Sequence, residues 1–209
     1  MFCFQCQETA KGIGCTVRGV CGKLPETSRW QDLLISVLRG LGTIGHALNE
    51  SGVSYNKEEI GDAIVDGLFA CITNANFDDD ALLRKVDKAI VLKRELLAIA
   101  AEEKITLPDY QEVKWGGEKA DYMAEGDREN ILRNSNADLR SLKELTVLGL
   151  KGMAAYYEHA ARLGYRQDDI LSFMMKALAI ISNPHADQQT LLTTVLETGK
   201  YGVDVMALL

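Results

Sequence analysis

The chain has 209 residues, 47% apolar and 25% charged, with 23 basic against 30 acidic side chains and a formal net charge of −7. These are the proportions of an ordinary soluble, cytosolic domain with room for one core. The acidic balance argues against nucleic acid as a partner, and no apolar run reaches membrane-spanning length, which excludes a membrane one.

Four of the five cysteines fall in the first 21 residues, as Cys3, Cys6, Cys15 and Cys21, with the spacing C-x2-C-x8-C-x5-C. Three kinds of chemistry use close thiols. Disulfides belong to small secreted folds that lack an adequate core. This chain is long and apolar, and Cys3 follows so closely on Met1 that a signal peptide has no room. Structural zinc takes four thiolates but usually pairs two tight knuckles, and only Cys3 and Cys6 form one. An iron–sulfur cubane is larger than an ion, so it accepts one tight pair plus two more distant cysteines. Glycines at 12, 14, 19 and 22 allow the backbone to turn around such a core. Zinc and a cluster both stay open on spacing alone, with the cluster favoured.

After the cysteine loop the pattern is helical. Ser28 with Gln31 reads as a capping box, and apolar residues from Leu33 to Leu48 recur at helical spacing up to about Asn49. Gly40, Gly42 and Gly45 inside this helix predict close approach by another helix. Asn56 with Glu59 opens a second helix expected to reach about Thr73. Asp78 or Asp79 caps a third, running to about Lys104. From Thr106 to Asn136 the pattern weakens to a loop with short helices near 119–124 and 127–133, which Trp115 staples to the bundle. A long helix is expected over Ala137–Arg162, with an apolar stripe that includes Leu145 and with Gly149 and Gly152 as packing positions. Helices over 167–181, 188–197 and from Tyr201 onward complete the chain. No segment alternates like a strand. Cys71 reads as a small core residue. His46, His159 and His185 are too scattered to form a ligand set. The chain closes in the apolar run Val203–Leu209 with no C-cap, which reads as a domain of a longer protein or a naturally shortened relative.

Several segments resemble the hybrid cluster protein family, also called prismane proteins or hydroxylamine reductases. The resemblance lies in the run from Met1 to Thr9, in Gly14-Cys-Thr16, Val20-Cys-Gly-Lys23, Glu26-Thr-Ser28 and Gln31-Asp-Leu-Leu-Ile35. It continues in Gly67-Leu-Phe-Ala70, Ile72-Thr-Asn-Ala-Asn-Phe77, Arg140-Ser-Leu-Lys-Glu-Leu145, Gly149-Leu-Lys-Gly152 and Ala154-Ala-Tyr-Tyr-Glu-His-Ala160.

The periodicity makes the fold all-α, a helical bundle with an N-terminal cysteine-rich loop. The resemblance adds what that loop holds. It implies a cluster-binding loop over 1–26 and a bundle over 27–209, together the N-terminal domain of a longer protein whose later α/β domains are absent here. It implies that Cys3, Cys6, Cys15 and Cys21 hold a [4Fe–4S] cluster, the close spacing being similar to the cubane-bearing branch of the family. A hybrid iron–sulfur–oxygen cluster, held by Cys, His and Glu of the later part, then reduces hydroxylamine to ammonia, and the family is also linked with nitric oxide. The implied partners are a separate redox protein that donates electrons and the remaining domains. The rival reading is a non-redox module for assembly, zinc-bound or metal-free. On the first reading this stretch alone is inactive towards hydroxylamine, since a cluster closed by four thiolates leaves no open site.

Overall fold

The computed structural model describes every residue except Gln7, Thr73, Glu129 and Asn130, and every remaining side chain except that of Arg133. Among the described residues there are eight α-helices and no strand, only an isolated bridge between Cys3 and Cys15. The helices are α1 (Pro25–Glu50), α2 (Lys57–Ala70), α3 (Asp79–Glu102), α4 (Gln111–Lys114), α5 (Tyr122–Arg128), α6 (Ala137–Arg162), α7 (Asp168–Ser182) and α8 (Gln188–Met206). The all-α bundle expected from the helical spacing is therefore the observed architecture.

Helix α1 is the axis. It packs between α3 and α7, while α6 packs on α8 and α2. Its inner face, from Leu33 to Leu48, is wholly buried at the apolar positions. The glycines do what their placement predicted. A side chain on Gly42 would meet Leu178 Cβ of α7 at 2.8 Å, one on Gly45 would meet Met175 Sδ at 2.9 Å, and Gly40 lies against the Glu112 carbonyl. Their helix-propensity cost, about 1 kcal/mol each, is thus exchanged for interhelical contact.

The start of α1 differs from expectation. The helix opens at Pro25, with Leu24 extended as the N-cap and no capping side chain. A proline in the first turn loses no intrahelical hydrogen bond, which is why the helix starts there. Ser28 and Gln31 lie inside the helix, buried, and Gln31 is occupied elsewhere: its Oε1 accepts from Lys23 Nζ at 2.7 Å.

The other caps follow the sequence more closely. Asn56 accepts the Glu59 N–H at 3.3 Å, and Asp78 accepts the Ala81 N–H at 2.9 Å. Helix α2 stops at Ala70, and the expected end near Thr73 lies outside the described residues. The connection from α3 to α6 holds α4 and α5, of which α4 was not anticipated. The suggested helix over 127–133 is not one element: α5 ends at Arg128, a short 3-10 turn covers Ile131–Arg133, and Glu129 and Asn130 between them are not described. Trp115 is a staple, as expected. Its ring meets Tyr122 at 5.8 Å between centroids, and the buried Lys93 donates to the Glu112 carbonyl at 2.9 Å and to the carbonyl of Trp115.

Helix α6 has the expected bounds but a narrower buried face. Val147, Leu150, Met153, Ala154 and Tyr157 are buried, whereas Leu145 is 51% exposed. Gly149 receives Thr198 of α8, but Gly152 faces open space and is no packing position. The largest departure is α8, which is one helix where two were expected. Gly199 and Gly202 sit inside it because tertiary contacts override their weak propensity. Thr198 packs against Gly149 of α6, and Tyr201 stacks on Phe173 of α7 at 4.1 Å.

Candidate metal centre

The N-terminal loop is built on a pair of backbone bonds. Cys3 N–H donates to the Cys15 carbonyl at 3.0 Å, and Cys15 N–H donates to the Cys3 carbonyl at 2.8 Å. Thr9 fixes the excursion between them, its Oγ1 donating to the Cys3 carbonyl at 3.0 Å. A short 3-10 turn, Ala10–Gly12, follows Thr9 and aims the Ala10 N–H at Cys15 Sγ, 3.4 Å away. Gly14 is required by close approach, since a Cβ there would lie 2.5 Å from the Phe2 ring. A second turn, closed by Gly22 N–H to the Gly19 carbonyl at 2.9 Å, presents Cys21 outward.

The four thiols therefore differ in setting. Cys15 is buried, Cys3 and Cys6 are half-buried, and Cys21 is exposed. Cys15 is held below the ordinary thiol range by the backbone N–H groups of Ala10 and Val20 and by the Thr9 hydroxyl, which outweigh its burial. A thiolate receiving backbone N–H bonds has the character of a ligand to a soft metal or to an iron–sulfur cluster. The structure brings Cys3 and Cys15 side by side, with Cys6 half-buried and Cys21 exposed. Among the described residues, no three His, Cys, Asp or Glu side chains converge on one point as a single metal ion requires.

Cys71 is fully buried under the loop at the end of α2, and burial pushes its thiol up to about 11. Its Sγ donates to the Gln31 carbonyl at 3.8 Å. This is the small core residue that the helical pattern predicted. His46 is half-buried, His159 and His185 are exposed, and the three stand on α1, α6 and the turn before α8.

Sequence reasoning missed what lies beneath the loop. Lys23 is 1% exposed and Lys151 of α6 is 2% exposed. Lys23 Nζ reaches Gln31 at 2.7 Å and Cys3 Sγ at 3.9 Å, and Lys151 Nζ reaches Gln5 Oε1 at 3.2 Å. A signal existed: Lys151 sits on the apolar stripe of α6, four residues after Val147 and three before Ala154. Beside the loop opens a cleft of about 510 Å³ whose walls include Phe2, Cys3, Arg39, Lys143 and Glu144. Arg39 and Glu112 pair across it at 2.6 Å.

The fold and site define an all-α domain with a thiol-rich N-terminal loop over a buried cationic layer. A family model described as Prismane/CO dehydrogenase matches residues 1–209, and the chain belongs to that family. Relatives named hydroxylamine reductase are similar to it throughout. Those of Bacteroides fragilis and Porphyromonas gingivalis are each 44% identical, covering 99% and 100% of this chain and 37% and 38% of their own length. That of Desulfitobacterium hafniense is 43% identical over 100% of this chain and 38% of its own. The chain thus spans little more than a third of the curated relatives it matches. Among the described residues no helix is long and apolar enough to cross a membrane.

Proposed function

We propose that this chain is the iron–sulfur electron-transfer domain of a hydroxylamine reductase, with Cys3, Cys6, Cys15 and Cys21 holding one [4Fe–4S] cluster. The observation that carries the reading is the match to relatives of that name along the whole chain, cysteine loop included. The loop supports it chemically, because Cys15 is poised as a thiolate by N–H groups that a sulfur ligand needs.

Such a cluster supplies one-electron transfer at a potential set by burial and hydrogen bonding. The chain's own residues do the rest. The Cys3–Cys15 bridge sets the spacing of two sulfurs, Thr9 and Ala10 fix the turn that lies over Cys15, and Lys23 lies against Cys3. Breaking the N–O bond of hydroxylamine takes an electron pair and two protons, and the reacting centre belongs to the remaining domains of a longer protein. We place the domain in the cytoplasm, supplied with electrons by a separate redox protein.

The test is purification without oxygen followed by iron, sulfide and zinc analysis. About four iron and four sulfide per chain are expected for a cubane. Stoichiometric zinc, or no metal with the loop still ordered, would instead establish the assembly module.

A further inference from the structure

We propose that Lys23 and Lys151 form a fixed cationic floor beneath the cysteine loop that offsets the charge of the bound cluster and favours its reduced form. The inference rests on the iron–sulfur reading of the loop.

Both ammonium groups are out of solvent, and among the described residues their hydrogen bonds go to one sulfur and two amide oxygens, not to carboxylates. Burying a cation without a carboxylate partner is expensive. Something else must compensate the two charges, and the cysteine loop lies directly above them. Lys23 touches Cys3, and Gln5, which holds Lys151, lies between Phe4 and Cys6. The cations therefore face the thiol ligands from below, Lys23 from the loop itself and Lys151 from α6.

Several charged or titratable groups act on Lys151. Burial lowers its proton affinity most. Cys71, Asp32 and Glu144 act to raise it, and Lys23 acts to lower it. Burial raises the Cys71 thiol to about 11 and raises Glu144 as well, while Arg39 and Lys151 act to lower Glu144. Lys23 and Lys151 bond directly to the loop residues Cys3 and Gln5, so positive charge is what this group presents to the cluster ligands. A cluster ligated by four thiolates is anionic and gains one more negative charge on reduction. A positive floor in a medium of low dielectric favours that step.

The test uses the whole chain reconstituted without oxygen, with iron content measured first and the cluster's midpoint potential second. Lys151→Met is expected to disfavour reduction about tenfold, which is about 59 mV downward for a one-electron couple. Lys151→Arg keeps the charge and should stay near the wild-type potential. Asp32→Asn removes the opposing anion and should move the potential upward. A purely structural lysine would alter the unfolding midpoint in urea without this paired, opposite movement. The proposal is overturned if Lys151→Met and Asp32→Asn both leave the potential in place, or if Lys151→Arg falls as far as Lys151→Met. If Lys151→Met does not hold iron, the direction of the Asp32→Asn shift decides. A wild-type chain that binds no iron–sulfur cluster at all overturns the parent reading first, and is recognised at the iron assay.

Discussion

Cys15 and Cys71 are both buried, yet their surroundings drive the two thiols in opposite directions. Backbone N–H groups favour the thiolate of Cys15, whereas Cys71 has mainly apolar surroundings and is raised to about 11. Metal-free protein at neutral pH should therefore show Cys21, which is exposed, alkylated at once by iodoacetamide, and Cys71 unmodified until denaturant is added. Peptide mapping reads the order, and early labelling of Cys71 would contradict its burial. Lys93 makes a pH prediction at the same scale. Burial pushes it down to about 8 from 10.5. Between those values the unfolded chain holds a proton that the native chain has released, so this residue makes stability rise with pH across the interval. Cys71 acts the other way above pH 9.0, because its native thiol keeps the proton longer. The quantity to measure is thus the difference between wild type and Lys93→Met from about pH 7 to 9, where the wild type should gain relative to the variant. The variant should also be less stable throughout, by about 1–3 kcal/mol, because two carbonyls of the α4 connection lose their donor.

Among the elements, helix interiors were readable and their ends were not. Periodicity locates α1, α2, α3, α6 and α7 because each has a buried stripe that sequence spacing alone reveals. The start of α1 was misread because Ser28 and Gln31 have the right chemistry for a cap but are needed elsewhere, Gln31 by Lys23. The break expected in α8 was misread because Gly199 and Gly202 are weak helix residues, while the contacts that hold them, Thr198 against Gly149 and Tyr201 on Phe173, come from distant parts of the chain. The same distinction separates two glycines that look alike in sequence. Gly42→Ala adds a methyl group 2.8 Å from Leu178 Cβ. Overpacking of about 1–3 kcal/mol should exceed the roughly 1 kcal/mol gained in propensity, a net loss of stability. Gly152→Ala meets nothing and should gain up to about 1 kcal/mol. Urea titration of both variants checks the pair, and a stabilised Gly42→Ala would mean that α1 and α7 approach less closely than described.

Over the whole molecule, the bundle and the loop draw on different sources of stability. Among the described residues the buried core draws on all eight helices and begins at Leu33, with Trp30 packed against it. Among the described residues the loop buries the side chains of Cys15 and Lys23, while Ile13, Val17, Val20 and Leu24 are exposed on it. Four clustered cysteines pointed from the sequence to a metal or cluster site, which is the reading proposed for the loop. The cationic floor under them was not legible there, because it forms only where Lys23 meets α6 residue Lys151, which is 128 positions further along the chain (151 − 23). Cys15→Ser should then lose the cluster and loosen residues 1–24, with the helices surviving. Circular dichroism should keep nearly all its helical signal while the loop becomes sensitive to protease. Collapse of the helices would show that the bundle depends on the cluster. The same separation bears on activity. By sequence one cysteine, Cys71, follows the loop, and His46, His159 and His185 stand on separate elements. The four thiolates close the proposed cluster and leave no iron open to a nitrogen ligand. The reconstituted 209-residue chain should take up and release one electron reversibly but should not reduce hydroxylamine at an enzymatic rate. Assay with reduced viologen checks this. Turnover that disappears in Cys15→Ser would place the reacting centre within this domain and refute the division of labour proposed for it.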